Sequence, residues 1–583
     1  MKAPTIVALA QIVVVASFLG CASTGPKQGR SEQATTPSLS PIKTLVVGQL
    51  NAVLSYGPWD FSNTSGGGSA LEEVHTIGLT THGRTSGFET RLAAGIPSLD
   101  DGSVVILPDG RMQTIWKLRS DVKWHDGTPF TAHDIAFTAE IATHPLLLSS
   151  REEHLRRAEK VEALDPLTVV VTWPGTYYRA LELISASMWP FPRHILREPL
   201  TNIESRDAFL GQSYFTTEYV NLTTEYVNLG PFRLVDFGGG ENQVFEAFDD
   251  YFLGRPKVDR LILRTIGEVN VMLANLRAGA IDMTSEKTLP LDVFLQLRDE
   301  WKQSGEGSVF SRQDNWRYLW FQFHPEYAKP IELSQDPRLR RGLLYGLDRD
   351  ALRDLLMPGV ENTSGDSFMS SADPRGATVG QPFSRYQYEP NRALQDFADG
   401  GWRRANDGRM LNRAGDQVQL EMRGNEPDEK EVAFISAGWR QLGFDVKEYI
   451  PPQSLSRDNE FKSKFPAMET RVRGFGDTIF ISFDGRLGSG PQNRWQGANT
   501  AHYANPSLDA LIDKLSFTFD RQEQGLVLRD MAEILAADLP ALPVYWRTIF
   551  AAVSKNARAF TDDYPGTGTA SMARNVHLWE KLS

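Results

Sequence analysis

The sequence predicts an α/β protein that folds into more than one lobe. Extended and helical patterns alternate along the chain, without a long all-helical or all-β stretch. The β-branched run at residues 165–173 is typical of a strand, whereas the segment after Asp520 has the apolar spacing of a helix. The chain has 583 residues, which is too long for a single hydrophobic core, so we expect two or three lobes.

The individual elements are predicted from apolar runs for strands and from capping and breaking residues for helices. In chain order they are a strand at 44–48, a strand-turn-helix block at 116–138, a strand at 165–173, a hairpin over 228–248, a helix over 270–278, a strand at 318–323, a helix over 337–347, a helix at 437–443 with a strand at 444–450, a helix capped by Asp520 and a final strand that begins at Val544.

The block at 116–138 (WKLRSDVKWHDGTPFTAHDIAFT) is the most informative stretch. Asp126 and Gly127 indicate a tight turn, because glycine supplies the positive φ that such turns need. Thr131 and Asp134 have the spacing of a capping pair at a helix start. His125 beside Asp126 suggests an acid–base pair at first sight, but its place in a turn favours a structural role.

The charge balance argues against a nucleic-acid partner. Lysine and arginine number 61 and aspartate and glutamate 73, which gives a net charge of −12. Nucleic-acid binding requires clustered positive charge, so this composition instead suits a protein that stays in solution.

The N-terminus is typical of an exported lipoprotein. Residues 1–20 carry Lys2 and then a short apolar run, which is the pattern of a signal peptide. Cys21 is the only cysteine and follows Phe18-Leu19-Gly20, a sequence similar to a bacterial lipobox. We therefore expect lipidation of Cys21 and a flexible tether at 21–41, rich in Ser, Thr, Gly and Pro. An ordinary signal peptide with a chance cysteine is the alternative.

The sequence contains no motif for catalysis or for metal binding. The zinc-protease pattern H-E-x-x-H and the nucleophile-elbow pattern G-x-S-x-G are both absent. The ten histidines lack the spacing of metal ligands. The sequence therefore predicts neither an enzyme nor a cofactor.

Six ordered segments resemble the family of solute-binding proteins that bring peptides, nickel and related ligands to ABC importers, solute-binding protein family 5. The segments are 116–138, 228–233 (NLGPFR), 251–260 (YFLGRPKVDR), 273–282 (LANLRAGAID), 336–349 (DPRLRRGLLYGLDR) and 504–512 (ANPSLDALI). The resemblance extends from about residue 44 to residue 560.

The resemblance implies a two-lobe periplasmic-binding-protein fold of type II, with an extra N-terminal subdomain and a hinge of two crossings. Lobe I would comprise residues 42–80, 214–312 and 543–583, and the extra subdomain residues 81–213. Lobe II would comprise residues 313–542. Closure around a ligand would then be the event that the permease recognises.

The resemblance also implies a ligand site on lobe II. Peptide-binding members hold the ligand amine with an acidic residue in a segment similar to Gly474-Phe475-Gly-Asp477, which makes Asp477 the candidate here. Phe475 stands where the family usually has Trp. Arg423 falls near the position of an arginine that grips the ligand carboxylate, by two parallel bonds in the ideal case.

Other residues are assigned to the same cleft. Arg471 and Arg473 flank the site and would favour an anionic ligand instead of a peptide amine. Trp316 and Trp495 are assigned as rigid apolar walls, although core packing is the alternative for such aromatics. For the charged candidates the alternative is a surface ion pair.

The sequence thus predicts an extracytoplasmic, membrane-anchored lipoprotein that captures peptides or a related small solute for an ABC importer. Its partners would be the permease subunits with their cytoplasmic ATPases, and it would act as a monomer. A ligand-binding sensor or a periplasmic chaperone on the same fold is the alternative, and an exported hydrolase is a third possibility that the missing motifs disfavour.

Overall fold

The computed structural model describes residues 41–51, 68–84, 87–147, 153–185, 187–215, 226–237, 241–425, 428–456, 458–474, 476–560, 564–565 and 571–582. The predicted signal peptide, the lipidation site Cys21 and all but the last residue of the tether lie outside these ranges. From Ile42 onwards the chain belongs to one compact unit.

Strands and helices are interspersed along the described residues. The strands are β1 (Thr44–Gln49), β2 (Thr80–His82), β3 (Phe88–Thr90), β4 (Val104–Ile106), β5 (Met112–Lys117), β6 (Lys160–Asp165), β7 (Thr168–Trp173), β8 (Phe232–Asp236), β9 (Asn242–Ala247), β10 (Arg260–Thr265), β11 (Met283–Thr284), β12 (Gly307–Phe321), β13 (Arg403–Arg404), β14 (Met410–Leu411), β15 (Gln419–Arg423), β16 (Asp445–Tyr449), β17 (Met468–Arg473), β18 (Ala541–Ser554), β19 (Ala557–Arg558) and β20 (Glu580–Lys581).

The α-helices lie between these strands along the chain. They are α1 (Ala132–Thr143), α2 (Glu153–Arg157), α3 (Arg193–Thr201), α4 (Arg206–Leu210), α5 (Val269–Arg277), α6 (Leu291–Ser304), α7 (Glu332–Gln335), α8 (Pro337–Tyr345), α9 (Arg349–Leu356), α10 (Gly376–Val379), α11 (Pro390–Asp399), α12 (Glu429–Gln441), α13 (Gln453–Ser456), α14 (Asn459–Ser463), α15 (Pro506–Ser516) and α16 (Arg521–Asp538).

The largest sheet among the described residues is mixed and has the strand order β16-β15-β17-β12-β18-β11-β1-β10-β9-β8. Strand β1 pairs in parallel with β10 and β11, and β15 pairs in parallel with β16 and β17. The central pair β12–β18 is antiparallel. Parallel pairs joined through helices are the mark of α/β organisation, so the predicted fold class is confirmed.

Strands β12 and β18 form a long ribbon in the middle of this sheet. They are 15 and 14 residues long and pair antiparallel, starting with Gly307 opposite Ser554. One end of the ribbon pairs with β11 and the other with β17. The register shifts at Asp314 and again after Arg317. Because such bulges bend and twist a strand, they mark the place where the ribbon passes from one part of the sheet to the other.

Two buried arginines fix β12 on either side of the first bulge. The Nε and Nη2 atoms of Arg312 lie 2.6 and 2.5 Å from the carboxylate oxygens of Glu286. The Nε of Arg317 lies 2.9 Å from both oxygens of Glu431, and its Nη2 lies 2.7 Å from Asp428. Burial costs these charges their hydration, so each arginine needs its carboxylate partner to remain inside the protein.

The hydrophobic core is divided into clusters that belong to different parts of the large sheet. One cluster takes its buried members from residues 316–546. In another, Leu45 near the start of the described chain packs in the same group as Trp579 near its end. The chain therefore returns to its first part after β18. The lobe boundaries at 313 and 543 and the subdomain at 81–213 remain a prediction.

The sequence block at 116–138 folds as predicted. Strand β5 leads to a turn in which Gly127 has a φ of +89° and donates its N–H to the carbonyl of Trp124. A capping box of Thr131 and Asp134 then opens α1. The ring nitrogens of His125 contact the backbone of residues 228 and 230. Burial lowers the pKa of His125 to about 3, so the imidazole stays neutral and its contacts are structural.

Two strands of the central ribbon begin earlier than the sequence predicts. Strand β12 begins at Gly307, eleven residues before the predicted start at Tyr318. Strand β18 begins at Ala541 and contains Pro543, which was expected to precede the strand. Proline is tolerated there because its partner Tyr318 lies at the second register shift, where ladder pairing is already interrupted.

Replacing Arg317 with Met is expected to lower the free energy of unfolding by about 3–5 kcal/mol, because Asp428 and Glu431 would remain buried without their counter-charge. Urea titration followed by tryptophan fluorescence measures this change. The matched control is Arg409→Met, which removes an exposed pair with Asp407 and should leave the midpoint of urea unfolding nearly unchanged. Equal effects of the two substitutions would contradict the anchoring role of Arg317.

Candidate functional site

A cavity of about 550 Å³ lies between two separate parts of the chain. One wall comes from residues 82–104 and 178–182, and the other from residues 370–375, 477–478 and 519–524. Its apolar lining residues are Phe88, Ile96, Pro97, Leu99, Val104, Leu181 and Phe519. Its charged or titratable lining residues are His82, Asp100, Tyr178, Arg179, Glu182, Asp373, Arg375, Asp477, Asp520 and Arg521. An apolar surface with a few fixed polar groups is typical of a small-molecule site.

Asp477 is in this cavity and is contacted from both walls. It follows β17 and lies in the 3-10 helix Gly476–Ser482, with 15% of its side chain exposed. Its Oδ2 lies 3.5 Å from Nη1 of Arg375 on the same wall. From the opposite wall, the Tyr178 hydroxyl lies close enough to the carboxylate to lower its pKa. The carboxylate is therefore a point where the two walls meet.

The surroundings of Asp477 keep its carboxyl ionised. Burial alone would raise its pKa, but the charge of Arg375, the Tyr178 hydroxyl and the charge of Arg179 together outweigh burial and lower the pKa. Arg375 also pairs with a second carboxylate, that of Asp373, at 2.8 Å, so it does not neutralise Asp477 alone. Asp477 thus offers a negative charge in a site where little water competes.

A cluster of titratable side chains lies on the cavity wall opposite Asp477. Arg179 donates to Glu182 at 2.7 Å, and His82 lies 3.7 Å from the same carboxylate. Burial would raise the pKa of Glu182, but Arg179 outweighs this and lowers it. The cavity therefore carries ionised carboxylates on both walls, most of them already paired with arginine.

Arg423 lies elsewhere. It is 5% exposed, at the end of β15, and it is not among the cavity-lining residues. It donates to the carbonyl of Phe461 and to Glu421, and its guanidinium stacks 4.3 Å from the Phe461 ring centre. The structure does not bring Arg423 together with Asp477, and its predicted role in carboxylate binding stays a prediction.

The comparisons with known proteins identify the chain. Residues 102–477 match the family model "Bacterial extracellular solute-binding proteins, family 5 Middle". This match covers more than half of the sequence. The chain belongs to this family.

Members of the family are similar to this chain over nearly its whole length. The oligopeptide-binding protein AppA of Bacillus subtilis is 22% identical over 575 residues, which cover 95% of each protein. The structure of AppA from Bacillus subtilis with a nonapeptide has a TM-score of 0.66 at 19% identity and covers 93% of this chain and 100% of that one. NikZ from Campylobacter jejuni in complex with Ni(L-His) has a TM-score of 0.68 at 20% identity, with coverage of 93% and 100%. These likenesses confirm the predicted two-lobe fold.

The remaining predicted site residues lie in the core, at a second cavity or next to it. Trp316 is 1% exposed and donates its indole N–H to the carbonyl of Gly365, so it packs in the core. Arg473 and Trp495 line a second cavity of about 340 Å³. Gly474 follows Arg473 directly, and Phe475 lies outside the described residues. The ligand contacts assigned to these residues are untested and stay a prediction.

Several residues of this cavity were not predicted from the sequence. Arg375 and Tyr178 are 102 and 299 positions before Asp477, and no motif connects them. Asp373-Pro374-Arg375 carries a turn signal, since Asp373 accepts the backbone N–H of Arg375, but a turn alone does not indicate a ligand site.

Two kinds of feature are absent from the part of the chain that the structure describes. No helix there is both long and apolar enough to cross a membrane. No group of three or more His, Cys, Asp or Glu side chains there is placed to hold a metal ion.

Replacing Asp477 with Asn tests the ionisation of this carboxyl. Because its pKa is lowered in the folded state, its stabilising contribution is present above the pKa of the unfolded chain and is lost as the pH falls through the lower, folded value. We expect the substitution to cost about 1–2 kcal/mol at pH 7 and progressively less below about pH 4. Urea titrations across this pH range measure the difference.

The matched control is Asp354→Asn, because the Asp354 side chain is 76% exposed and its replacement should change stability little. A cost for Asp477→Asn that grows towards acid pH would contradict the lowered pKa.

Proposed function

We propose that this protein captures short peptides in the 550 Å³ cavity and delivers them to the permease of an ABC importer. The observation that carries the proposal is Asp477, an ionised and mostly buried carboxylate contacted from both walls of the cavity. Membership of an extracellular solute-binding family supports it, and so does the similarity to an oligopeptide-binding protein.

The chemistry of the site fits a ligand with a free amine. A desolvated ammonium group requires a negative partner, and Asp477 supplies one. On binding, the ammonium would compete with Arg375 at 3.5 Å and with the Tyr178 hydroxyl for this carboxylate. The apolar wall around Phe88 and Leu181 would accept a peptide side chain.

Binding would be coupled to closure of the two lobes. The cavity is shared between two parts of the chain, so a ligand that contacts both walls favours the closed arrangement over the open one. The permease then distinguishes the liganded protein from the empty one by its shape. We propose capture and delivery as the whole activity, without chemical change of the ligand. The relatives give no support to the sensor or chaperone alternative.

Asp477→Asn is expected to weaken peptide binding by about thirtyfold or more, because it removes one partner of a desolvated ion pair. Isothermal titration calorimetry with peptides from a pool selected by native mass spectrometry measures the change. N-acetylated forms of the same peptides should bind the wild-type protein as weakly as the free peptides bind the variant.

The control for this measurement is Asp100→Asn, because Asp100 lines the same cavity but is exposed to solvent. We expect this variant to bind within about threefold of wild type. Peptide binding that is indifferent both to N-acetylation and to Asp477→Asn would overturn the proposed amine site. Failure of wild type to retain any peptide would overturn the proposed function.

We also propose that the protein is anchored to the membrane through a lipid on Cys21 and that it acts as a monomer. Two or more acyl chains on one residue anchor a protein stably, whereas the bare chain has no comparable membrane affinity. We expect Cys21→Ser to move the protein from the membrane pellet to the soluble fraction of its native host. Equal membrane association of wild type and Cys21→Ser would contradict lipid anchoring.

A further inference from the structure

The cavity wall opposite Asp477 carries a carboxylate of its own. Glu182 follows the 3-10 helix Tyr178–Leu181, and 15% of its side chain is exposed. Arg179 donates to its Oε2 at 2.7 Å. The other oxygen, Oε1, accepts no hydrogen bond from any residue that the structure describes. Because Glu182 lines the cavity, half of its carboxylate is available to a donor on a bound ligand.

The neighbouring histidine does not neutralise this free oxygen. Nε2 of His82 lies 3.7 Å from Oε1 of Glu182, which is beyond hydrogen-bond distance. Burial lowers the pKa of His82 more than the charges of Glu182 and Asp477 raise it, so the imidazole is neutral at pH 7. Burial would raise the pKa of Glu182, but Arg179 outweighs burial and keeps the carboxyl ionised. Oε1 therefore carries negative charge without a charged donor of its own among the described residues.

The charges around the cavity are also unbalanced. Among the described residues that line it, carboxylates outnumber arginines by five to three. The carboxylates are those of Asp100, Glu182, Asp373, Asp477 and Asp520, and the arginines are Arg179, Arg375 and Arg521. The amine of a bound peptide supplies one positive charge and still leaves an excess of one carboxylate. A ligand with a second cation removes that excess.

The surface next to Glu182 suits an aliphatic chain. Leu181, Phe88 and Val104 line the same wall of the cavity. The ring centre of His82 lies 5.4 Å from that of Phe88, so apolar surface continues up to the carboxylate. Lysine and arginine side chains lay their apolar stems along such surface and keep the charged head at a polar group. A basic side chain therefore matches both parts of this wall, whereas an uncharged one of equal length matches only the apolar part.

The two carboxylates lie close enough for one short ligand to contact both. Tyr178 lies beside Asp477 and begins the 3-10 helix that Glu182 follows. Four residues of such a helix advance about 8 Å. Burial raises the pKa of Tyr178, and the charges of Asp477 and Glu182 raise it further, so both carboxylates act on this one hydroxyl. An extended peptide advances about 3.3–3.6 Å per residue, so a peptide with its amine at Asp477 has the side chains of its first two residues within reach of Glu182.

We propose that Glu182 forms a second cation subsite, which binds the side-chain ammonium or guanidinium of a basic residue at the first or second position of the captured peptide. Oε1 of Glu182 accepts from the charged head, and Phe88, Leu181 and Val104 contact the aliphatic stem. The assignment rests on the proposed function for the identity of the ligand as a peptide, but the preference of this wall for a cation does not. The substrate class is therefore short peptides with a basic residue near the N-terminus.

The variant Glu182→Gln tests the subsite, because it removes the charge and keeps an oxygen for Arg179. A second variant, His82→Lys, fills the subsite by placing an ammonium group beside Glu182, whose pair with Arg179 stays intact. Thermal melting shows which variants fold like wild type. Glu182→Gln is the deciding variant if it folds, and His82→Lys takes its place otherwise. The matched control is Asp100→Asn, which removes a carboxylate from the same cavity at an exposed position.

The first probe is a set of tripeptide pairs that differ only in lysine or norleucine at one position, because norleucine keeps the apolar stem and lacks the ammonium group. Isothermal titration calorimetry measures the affinities. We expect wild type and Asp100→Asn to prefer lysine by about tenfold or more at one of the first two positions, and the deciding variant to bind both peptides within about threefold. A preference for lysine at the third position alone, or one that Asp100→Asn loses as fully as the deciding variant, would overturn the assignment to Glu182.

The second probe does not depend on peptide capture. Nα-acetyl-lysine methylamide and its norleucine counterpart lack a free α-amine, and ligand-observed NMR compares their binding. We expect wild type to prefer the lysine compound and the deciding variant to lose that preference. If wild type binds no peptide, this comparison decides: a preference that the deciding variant loses upholds the cation subsite while the proposed function falls, and its absence overturns both. If peptides bind without distinction between lysine and norleucine, or if the deciding variant keeps the distinction, the subsite is overturned while peptide capture stands.

Discussion

The antiparallel ribbon of β12 and β18 is the constraint on which the rest of the structure depends. Both strands pass through the centre of the large sheet, and β12 is tied down on each side of its first bulge by a buried arginine–glutamate pair. Breaking either pair would leave an uncompensated charge in the interior, so the strand is held firmly on both sides of this bulge. The bulged stretch between them is the natural place for bending, because its ladder is already interrupted.

The ribbon also determines where residues of the two cavities lie. Strand β17 pairs with the second half of β12, and this register places Arg473 opposite Trp316, a residue fixed in the core. The chain then leaves the sheet and reaches Asp477 four residues later. The two cavities are therefore built on successive parts of one short segment, one basic and the other lined by ionised carboxylates.

The sequence predicts the elements whose determinants are local. The capping pairs at Thr131 and at Asp520 both form, because a cap depends on residues three positions apart. The first half of β12 is not predicted, since its buried arginine at 312 finds a partner 26 residues away. The candidate site, too, is predicted from the sequence only where its determinants are local. Asp477 is found through a motif, but Arg375 is brought to it only by folding, and the stacking of Arg423 on Phe461 is likewise not visible in the sequence.

The central claim is that a captured solute presents its amine to Asp477, and a crystal structure of the protein with a peptide that co-purifies from its native host tests this most directly. The account predicts the peptide nitrogen within about 3 Å of the Asp477 carboxylate. It also predicts that Tyr178 and Arg375 are displaced from that carboxylate or share it with the peptide. A ligand bound outside this cavity, with Asp477 still paired only to Arg375 and Tyr178, would contradict the account.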